Sequence, residues 1–412
     1  MTISVIGAGV VGLACAYELS ELGQDVTVID SDAVGAGASA GNAGWITPFL
    51  STPRAAPGAV GDALRSFANP DGPARLRPHV EAGFATWVAA FVRASTAKRN
   101  AKGTAALQNL AHRAHEHVDA LAARGVGFEQ YTDGLVVAFK RRDNLERYQH
   151  VVTKIRGLGY TGAIATYRGS DIASFDPAIH RSVAAVLHLE SERHVRPETL
   201  TQGLAKSLLA NGGRIVEHDA ARRVERYGRQ WMVVTESGQR HVSDTVLVAA
   251  AYPTRRLLRP LGVTVPLEAA KGTSMTARGL GTAPLHPLKL FENMVACSPF
   301  GDSVRLSGTF DIGARDFTLN RKRLDMVVRQ ALTYLDSWRP TDVEVEWVGH
   351  RPTSVDDLPI IGPVPGHDGL YVATGHGTLG VTLGPVTGAL VAREIAHRRQ
   401  QPELQPFRLT RF

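Results

Sequence analysis

The chain has 412 residues, 44% hydrophobic and 21% charged, the make-up of an ordinary soluble globular protein of two to three domains, which excludes disordered, coiled-coil and collagen-like classes. The 46 Lys and Arg against 39 Asp and Glu give a net charge of +7, without the basic stripe and aromatic platforms that nucleic-acid binding needs. Two cysteines far apart, Cys15 and Cys297, exclude a disulfide framework and a multi-cysteine metal site, so no metal is expected.

Residues 2–6 read as a short buried strand that runs into Gly7-Ala8-Gly9-Val10-Val11-Gly12 and then a helix. A second apolar strand, Val26-Thr27-Val28-Ile29, ends in Asp30, followed by Ser31. Each part has a physical reason. Gly7 allows the tight turn, Gly9 lets a pyrophosphate touch backbone, and Gly12 lets helix and strand pack closely. The helix N-terminus offers free N–H groups to phosphates. Asp30 can accept hydrogen bonds from ribose hydroxyls and would repel a 2′-phosphate. Together they predict a dinucleotide-binding unit, with Cys15 packed in its helix.

The next segment, Gly35 to Gly44, is built of small residues and includes Ser39, Asn42, Ala43 and Gly44. Backbone can pass close to a long flat cofactor there, which favours FAD over NAD. Residues 50–80 read as an irregular connection and 82–124 as two or more helices. A strand is expected at Leu135–Phe139 and helices over 143–157 and Pro197–Asn211. Arg214–His218 reads as a strand, then a β-meander (Ala221–Arg226, Trp231–Thr235, His241–Val242) and a buried strand, Thr245–Ala250. Residues 264–310 alternate like strands, 320–337 form a helix and 343–348 a strand.

Two C-terminal segments carry the most specific signal. Trp347 to Gly362 contains Arg351-Pro352 and Pro359-Ile360-Ile361-Gly362. Leu370–Ala373 reads as a strand, followed by the turn Gly375-His376-Gly377-Thr378-Leu379-Gly380, then Val381-Thr382, with a helix expected from Val386. A second glycine turn at a helix N-terminus suits a cofactor with two ends to cradle; a reduced flavin gains negative charge that a helix dipole stabilises.

On these residues, with Lys271-Gly272 and Ser274, the chain resembles the FAD-dependent D-amino-acid oxidase superfamily, and within it most the bacterial D-amino-acid dehydrogenases. The resemblance implies a Rossmann-like α/β FAD-binding domain (1–75, 190–255 and 345–412) with a discontinuous substrate-binding domain of mixed β-sheet plus helices (76–189 and 256–344). It implies that Arg351 clasps the substrate carboxylate, that His376 stands beside the flavin, that Gly375 to Thr382 form the turn over the ring, and that Val224 contributes backbone to adenine. FAD is expected to be non-covalent, since no cysteine sits in either turn. The implied reaction is oxidative deamination of a D-amino acid, with hydride passing from Cα to flavin N5 and water hydrolysing the imino acid. Oxidation of a secondary amino acid such as hydroxyproline, D-proline or sarcosine, or of glycine, stands as an alternative, and a non-catalytic flavoprotein subunit as another. Ala249 to Ala251 stand where the family usually has Gly, and Thr273 where many dehydrogenases carry an aromatic, so substrate identity stays open. The partners expected are a small-molecule amino acid and an electron acceptor, quinone or oxygen, and no nucleic acid. With no basic leader and no 18-residue apolar run, a cytoplasmic location is expected, the basic excess leaving peripheral contact with the inner face of a membrane open.

Overall fold

The computed structural model of the chain describes residues 1–59, 61, 71–77, 79 and 82–412; part of the connection expected over 50–80 lies outside them. The chain opens with β1 (Thr2–Ile6), α1 (Val10–Glu21) and β2 (Asp25–Ile29), followed by the short strands β3 (Trp45–Ile46) and β4 (Ala74–Leu76). Three helices come next, α2 (Ala82–Ala94), α3 (Ala97–Ala111) and α4 (Ala114–Ala123). Then follow β5 (Gln130–Tyr131), β6 (Leu135–Phe139), α5 (Arg142–Arg156), β7 (Ile164–Arg168), α6 (Ser170–Phe175), β8 (Ala185–Leu189), β9 (Arg193–Val195) and α7 (Pro197–Ala210). Proline at the first turn of α7 has no N–H to waste there, and Gly212, at φ +84°, turns the chain out of it.

β10 (Arg214–Val216) leads to the meander β11 (Ala221–Tyr227), β12 (Gln230–Thr235) and β13 (Arg240–Ser243), then β14 (Thr245–Val248) and α8 (Thr254–Leu258). The last third holds β15 (Leu267–Leu280), β16 (Leu288–Leu290), β17 (Val295–Phe300), β18 (Ser303–Ile312), α9 (Arg321–Leu332), β19 (Arg339–Ser354), β20 (Ile360–Pro363), β21 (Leu370–Thr374) and α10 (Gly380–His397).

One sheet has the order β10-β2-β1-β14-β21-β20, and its first five strands are parallel. Crossover connections cover parallel strands with helices, so the middles of these strands are mostly apolar; Val5, Val28 and Leu247 have no exposed surface. Helices α1, α7 and α10 pack on it, and α1 is buried on most of its circumference because α10 lies against its far side.

The second sheet has nine strands, with the path β19-β15-β18-β17-β16-β6-β8-β7 and β4 pairing with β18. Its two faces differ, as alternation along a strand requires. Met275, Ala277, Cys297, Val304 and Leu306 face α9 in an apolar core, each large aliphatic side chain contributing about 1.5–3 kcal/mol. The opposite set, including Ser274, Ser298, Arg305 and Ser307, is polar and faces the first unit. The fold is thus a Rossmann-like α/β unit joined to a mixed sheet with helices.

Two boundaries differ from expectation. The strand expected over 343–348 runs from Arg339 to Ser354, paired with β15 throughout, so a domain boundary at 345 falls inside it. The residues read as a loop, His350-Arg351-Pro352, keep the alternation and remain in the ladder. The last helix begins at Gly380 and not at Val386, with Pro385 inside it. A proline there removes one backbone hydrogen bond, and the loss is offset by Gly384, which lets the helix rest on Val10.

Candidate active site

The first glycine turn is built as its residue types require. Gly7 has φ +117°, and a Cβ there would stand 2.5 Å from the Ala249 carbonyl oxygen. A Cβ on Gly12 would stand 1.9 Å from the Gly7 carbonyl oxygen, so both positions exclude a side chain. Gly9 differs: a Cβ there would meet just the Ser39 hydroxyl, at 3.3 Å. That open side faces the N-terminus of α1, where Val10 N donates to Ser39 Oγ at 3.0 Å and Val11 is half-buried. Asp30 closes the site at the end of β2. Its Oδ2 accepts from Ala8 N at 2.5 Å, and its Oδ1 accepts from Asp32 N and, at 3.4 Å, from the Ser31 hydroxyl. Burial pushes its carboxyl above the usual carboxylate range. Asp32 and Glu217, whose Oε1 accepts from Val34 N at 2.6 Å, make this rim acidic.

Val224 is not part of that rim. It sits in the β11–β12 ladder opposite Val233, with its side chain in the core beside Ile6 and Ile29. The segment that abuts Asp30 comes earlier: Asp219 N donates to the Asp30 carbonyl at 2.9 Å. Asp219, five residues before Val224, is thus the neighbour of this end of the turn.

The small-residue loop is pinned from the second unit. Arg305 Nη1 donates to the carbonyls of Ala40 and Asn42, both at 2.9 Å, and Arg305 Nε to Thr276 Oγ1. Its charge is met by Glu198 of α7. Ser298 Oγ donates to the Ala43 carbonyl at 2.7 Å, and Ser307 Oγ to that of Gly41 at 3.4 Å. Asn42 Oδ1 accepts from Gly44 N, and Trp347 covers Gly41, where a Cβ would stand 2.0 Å from the indole. Gly44 has φ +79° and lies against the Val195 carbonyl. Sequence reading found the loop but not Arg305, Ser298 or Ser307, which look like ordinary alternating strand residues.

The second turn stands beside the first. β1, β14 and β21 are parallel neighbours, so Gly7, Ala249 and Gly375 leave the sheet at one edge. α10 lies close on α1, with a Cβ on Gly388 falling 2.6 Å from Ala14. Gly375 and Gly377 have φ +74° and +55°. Gly377 N donates to the Pro352 carbonyl, Leu379 N to that of His376, and Thr378 is exposed at the tip. Gly380 opens the helix, Val381 packs in the core with α1, and Thr382 Oγ1 donates to the Trp45 carbonyl at 2.8 Å.

His376 is buried, with Nε2 3.2 Å from Thr387 Oγ1 of α10. Burial pushes its imidazole down to about 3. The ring stays neutral near neutral pH, and its tie to α10 positions the turn.

Arg351 comes from β19, opposite Ala270 of β15. Its guanidinium crosses Gly272, donates from Nη1 to the Thr309 carbonyl at 2.9 Å and lies 6.0 Å from the Phe310 ring centroid. Arg54 stacks on the same ring at 3.8 Å, is bound twice by Asp357, and lies against Gly377. Arg54 thus links the second turn to Arg351, a contact sequence reading missed. Among the described residues no carboxylate lies within ion-pair distance of Arg351. Burial first, then Arg54, lowers its guanidinium to about 10 against a smaller opposing pull from Asp311, so it stays cationic at neutral pH without an ion-pair partner among the described residues.

A family model described as FAD dependent oxidoreductase (DAO) matches residues 2–394. The chain belongs to this family. A D-amino acid dehydrogenase from Chromohalobacter salexigens is 30% identical over 422 residues, covering 99% of this chain and 98% of the relative. One from Rhodopseudomonas palustris is 29% identical, covering 93% and 91%. Among solved structures, glycine oxidase from Geobacillus kaustophilus superposes with a TM-score of 0.76 at 19% identity, covering 100% of this chain and 98% of that one. Iminodiacetate oxidase from Chelativorans sp. BNC1 gives 0.75 at 19% identity, with 98% of each chain covered. These likenesses show the fold.

FAD is the cofactor of this family member, and the residues present fit it. The open side of Gly9 leaves room for phosphate at the α1 N-terminus, Asp30 offers a carboxylate to ribose, and the acidic rim disfavours a 2′-phosphate. Among the described residues no helix is long and apolar enough to cross a membrane.

Proposed function

We propose that this flavoenzyme deaminates a D-amino acid oxidatively, and that Arg351 is the residue that fixes the substrate. The observation that carries the reading is an enclosed guanidinium without a carboxylate partner, linked through Phe310 and Arg54 to the second glycine turn. Leaving such a charge unpaired is costly, and a substrate carboxylate held by two parallel hydrogen bonds would satisfy it. The D configuration follows the names of the curated relatives.

FAD held here would supply a hydride acceptor at N5. Gly7, Gly9, Val10, Val11 and Gly12 would cradle its pyrophosphate, Asp30 and Ser31 its ribose, and Ser39 to Gly44 the flank of its ring. Gly375 to Thr382 would stabilise the ring's developing negative charge through the α10 N-terminus. Arg351 holds the carboxylate and so orients the Cα–H bond; alignment, more than a strong base, is what this reaction needs. Water hydrolyses the imino acid released. Cys15 and Cys297 are buried in separate apolar clusters, which supports a non-covalent cofactor.

Residues up to 59 with 190–255 and the C-terminal segment form the FAD unit in this reading, with β4 and β19 assigned to the substrate unit. A quinone or oxygen would reoxidise the flavin, at a cytoplasmic enzyme whose basic surface suits contact with an anionic membrane face. A secondary or achiral amine is the second reading, and glycine oxidase and iminodiacetate oxidase share the fold. Turnover of paired D- and L-amino acids, proline, sarcosine and glycine with an artificial acceptor dye separates the readings. Faster turnover of D than L enantiomers supports the first; turnover confined to secondary or achiral amines transfers the assignment to the second.

A further inference from the structure

Lys289 stands at the centre of β16. Its neighbours Leu288 and Leu290 face the α9 core with Val136 and Ala138, so alternation turns Lys289 to the opposite face of the sheet. That is the face on which Ser298 and Ser307 hold the carbonyls of Ala43 and Gly41. The pairing register makes a continuous row across it: Lys289 opposite Ala296, Ala296 opposite Ser307, Ser307 opposite Ser274, and Ser274 opposite Trp347.

Lys289 is surrounded by protein yet keeps some accessible surface. Arg351 has the same character. Neither has a carboxylate within ion-pair distance among the described residues, and the Lys289 ammonium makes no side-chain hydrogen bond there. Burial pushes the Lys289 ammonium down to about 8, so it remains mostly charged near neutrality. Two enclosed, unpaired cations on one face of one sheet form an arrangement that a protein keeps when a ligand supplies the anions.

The spacing sets the ligand's size. Lys289 is two strands from Ser307, at about 4.8 Å per strand, and Thr309, whose carbonyl Arg351 holds, is two residues further along β18, roughly 6.6 Å. The lysine stem covers part of that diagonal of about 12 Å. What remains, roughly 6 Å, matches the separation of the two carboxylates in a four- or five-carbon dicarboxylic amino acid.

We infer that the substrate is a dicarboxylic amino acid, with its α-carboxylate on Arg351 and its distal carboxylate on Lys289. This rests on the deamination reading above and adds the side-chain class that the site selects.

The test uses the FAD-loaded enzyme with D-glutamate and D-aspartate against their amides and against D-norleucine. The wild type should favour the acids by tenfold or more in kcat/KM. Lys289→Met should lower kcat/KM for the acids by about 30-fold or more and change that for D-norleucine less than threefold, whereas Lys289→Arg should keep the preference. Calorimetry supplies a readout apart from turnover: glutarate should bind the wild type at least tenfold tighter than butyrate and lose that margin in Lys289→Met. If Lys289→Met does not fold, the wild-type preference and the glutarate-to-butyrate ratio decide. Neutral D-amino acids turned over as well as the acids, with no glutarate preference, would overturn the inference and leave deamination standing. Failure of every amino acid to be oxidised would overturn both.

Discussion

The guanidinium of Arg351 lies across Gly272, so close that a methyl group there would stand 1.9 Å from Nη1 and 2.3 Å from Cζ. Gly272 has no left-handed backbone to protect, and what it clears is the flexible end of a side chain. Gly272→Ala should therefore fold and bind FAD as the wild type does, with the guanidinium displaced by an ångström or more. Misplacement on that scale costs about 100-fold, and it should show in steady-state kinetics as a raised KM. Unchanged KM would mean that the guanidinium's present position is not the one substrate uses.

Arg351→Ala removes the charge altogether. An unmet substrate carboxylate costs about 2–5 kcal/mol, so kcat/KM should fall by roughly two to three orders of magnitude while the visible flavin spectrum stays. Arg351→Lys should recover a minor part, because an ammonium keeps the charge and loses the fork.

The first turn separates packing from ligand space. Gly12→Ala places a methyl group 1.9 Å from rigid backbone and should abolish folding or leave colourless protein. Gly9→Ala meets no protein atom closer than 3.3 Å and should fold with normal circular dichroism, yet lose FAD affinity by at least tenfold in a fluorescence titration. The contrast identifies Gly9 as the position reserved for the cofactor.

Glu192 is a buried carboxyl beside the loop that follows β3, accepting from Phe49 N through Oε1, while Oε2 has no hydrogen-bond partner. Burial raises it from 4.5 to about 7. Its folded value lies above its unfolded one, so its contribution is fully present below pH 4.5 and is lost as pH rises through 7. Between those limits the wild type should lose up to about 3 kcal/mol from this group. Glu192→Gln should flatten that part of the profile and raise Tm at pH 8 relative to wild type, measured by calorimetry across pH 5–8.

Some of the site could be read from the sequence because its chemistry is local. The glycines of the first turn and Asp30 at the end of β2 each follow from what one residue type permits at one place, whereas Arg351 is singled out by the family resemblance alone. What could not be read is set by pairing between distant segments. Arg305 holds carbonyls some 265 residues away, and nothing in an alternating strand distinguishes a residue that reaches across from one that faces solvent. The place of Val224 inside the β11–β12 ladder depends on strand register along the meander, which is invisible until β11 is paired with β12. The start of α10 was hidden by Pro385, a residue that usually opens helices and is tolerated here by close packing on Val10. His376 is legible as a turn residue, whereas its tie to Thr387 of α10 shows only once the helix is packed.

The central claim is that both glycine turns serve one flavin that an amino acid held by Arg351 reduces. The direct measurement is the visible spectrum of the purified holoenzyme, recorded anaerobically before and after a D-amino-acid panel is added. Substrate should bleach the flavin band in the wild type, and bleach it far more slowly in Arg351→Ala with the same FAD content. A colourless protein, a band that no amino acid bleaches, or equal bleaching rates in wild type and Arg351→Ala would contradict the claim.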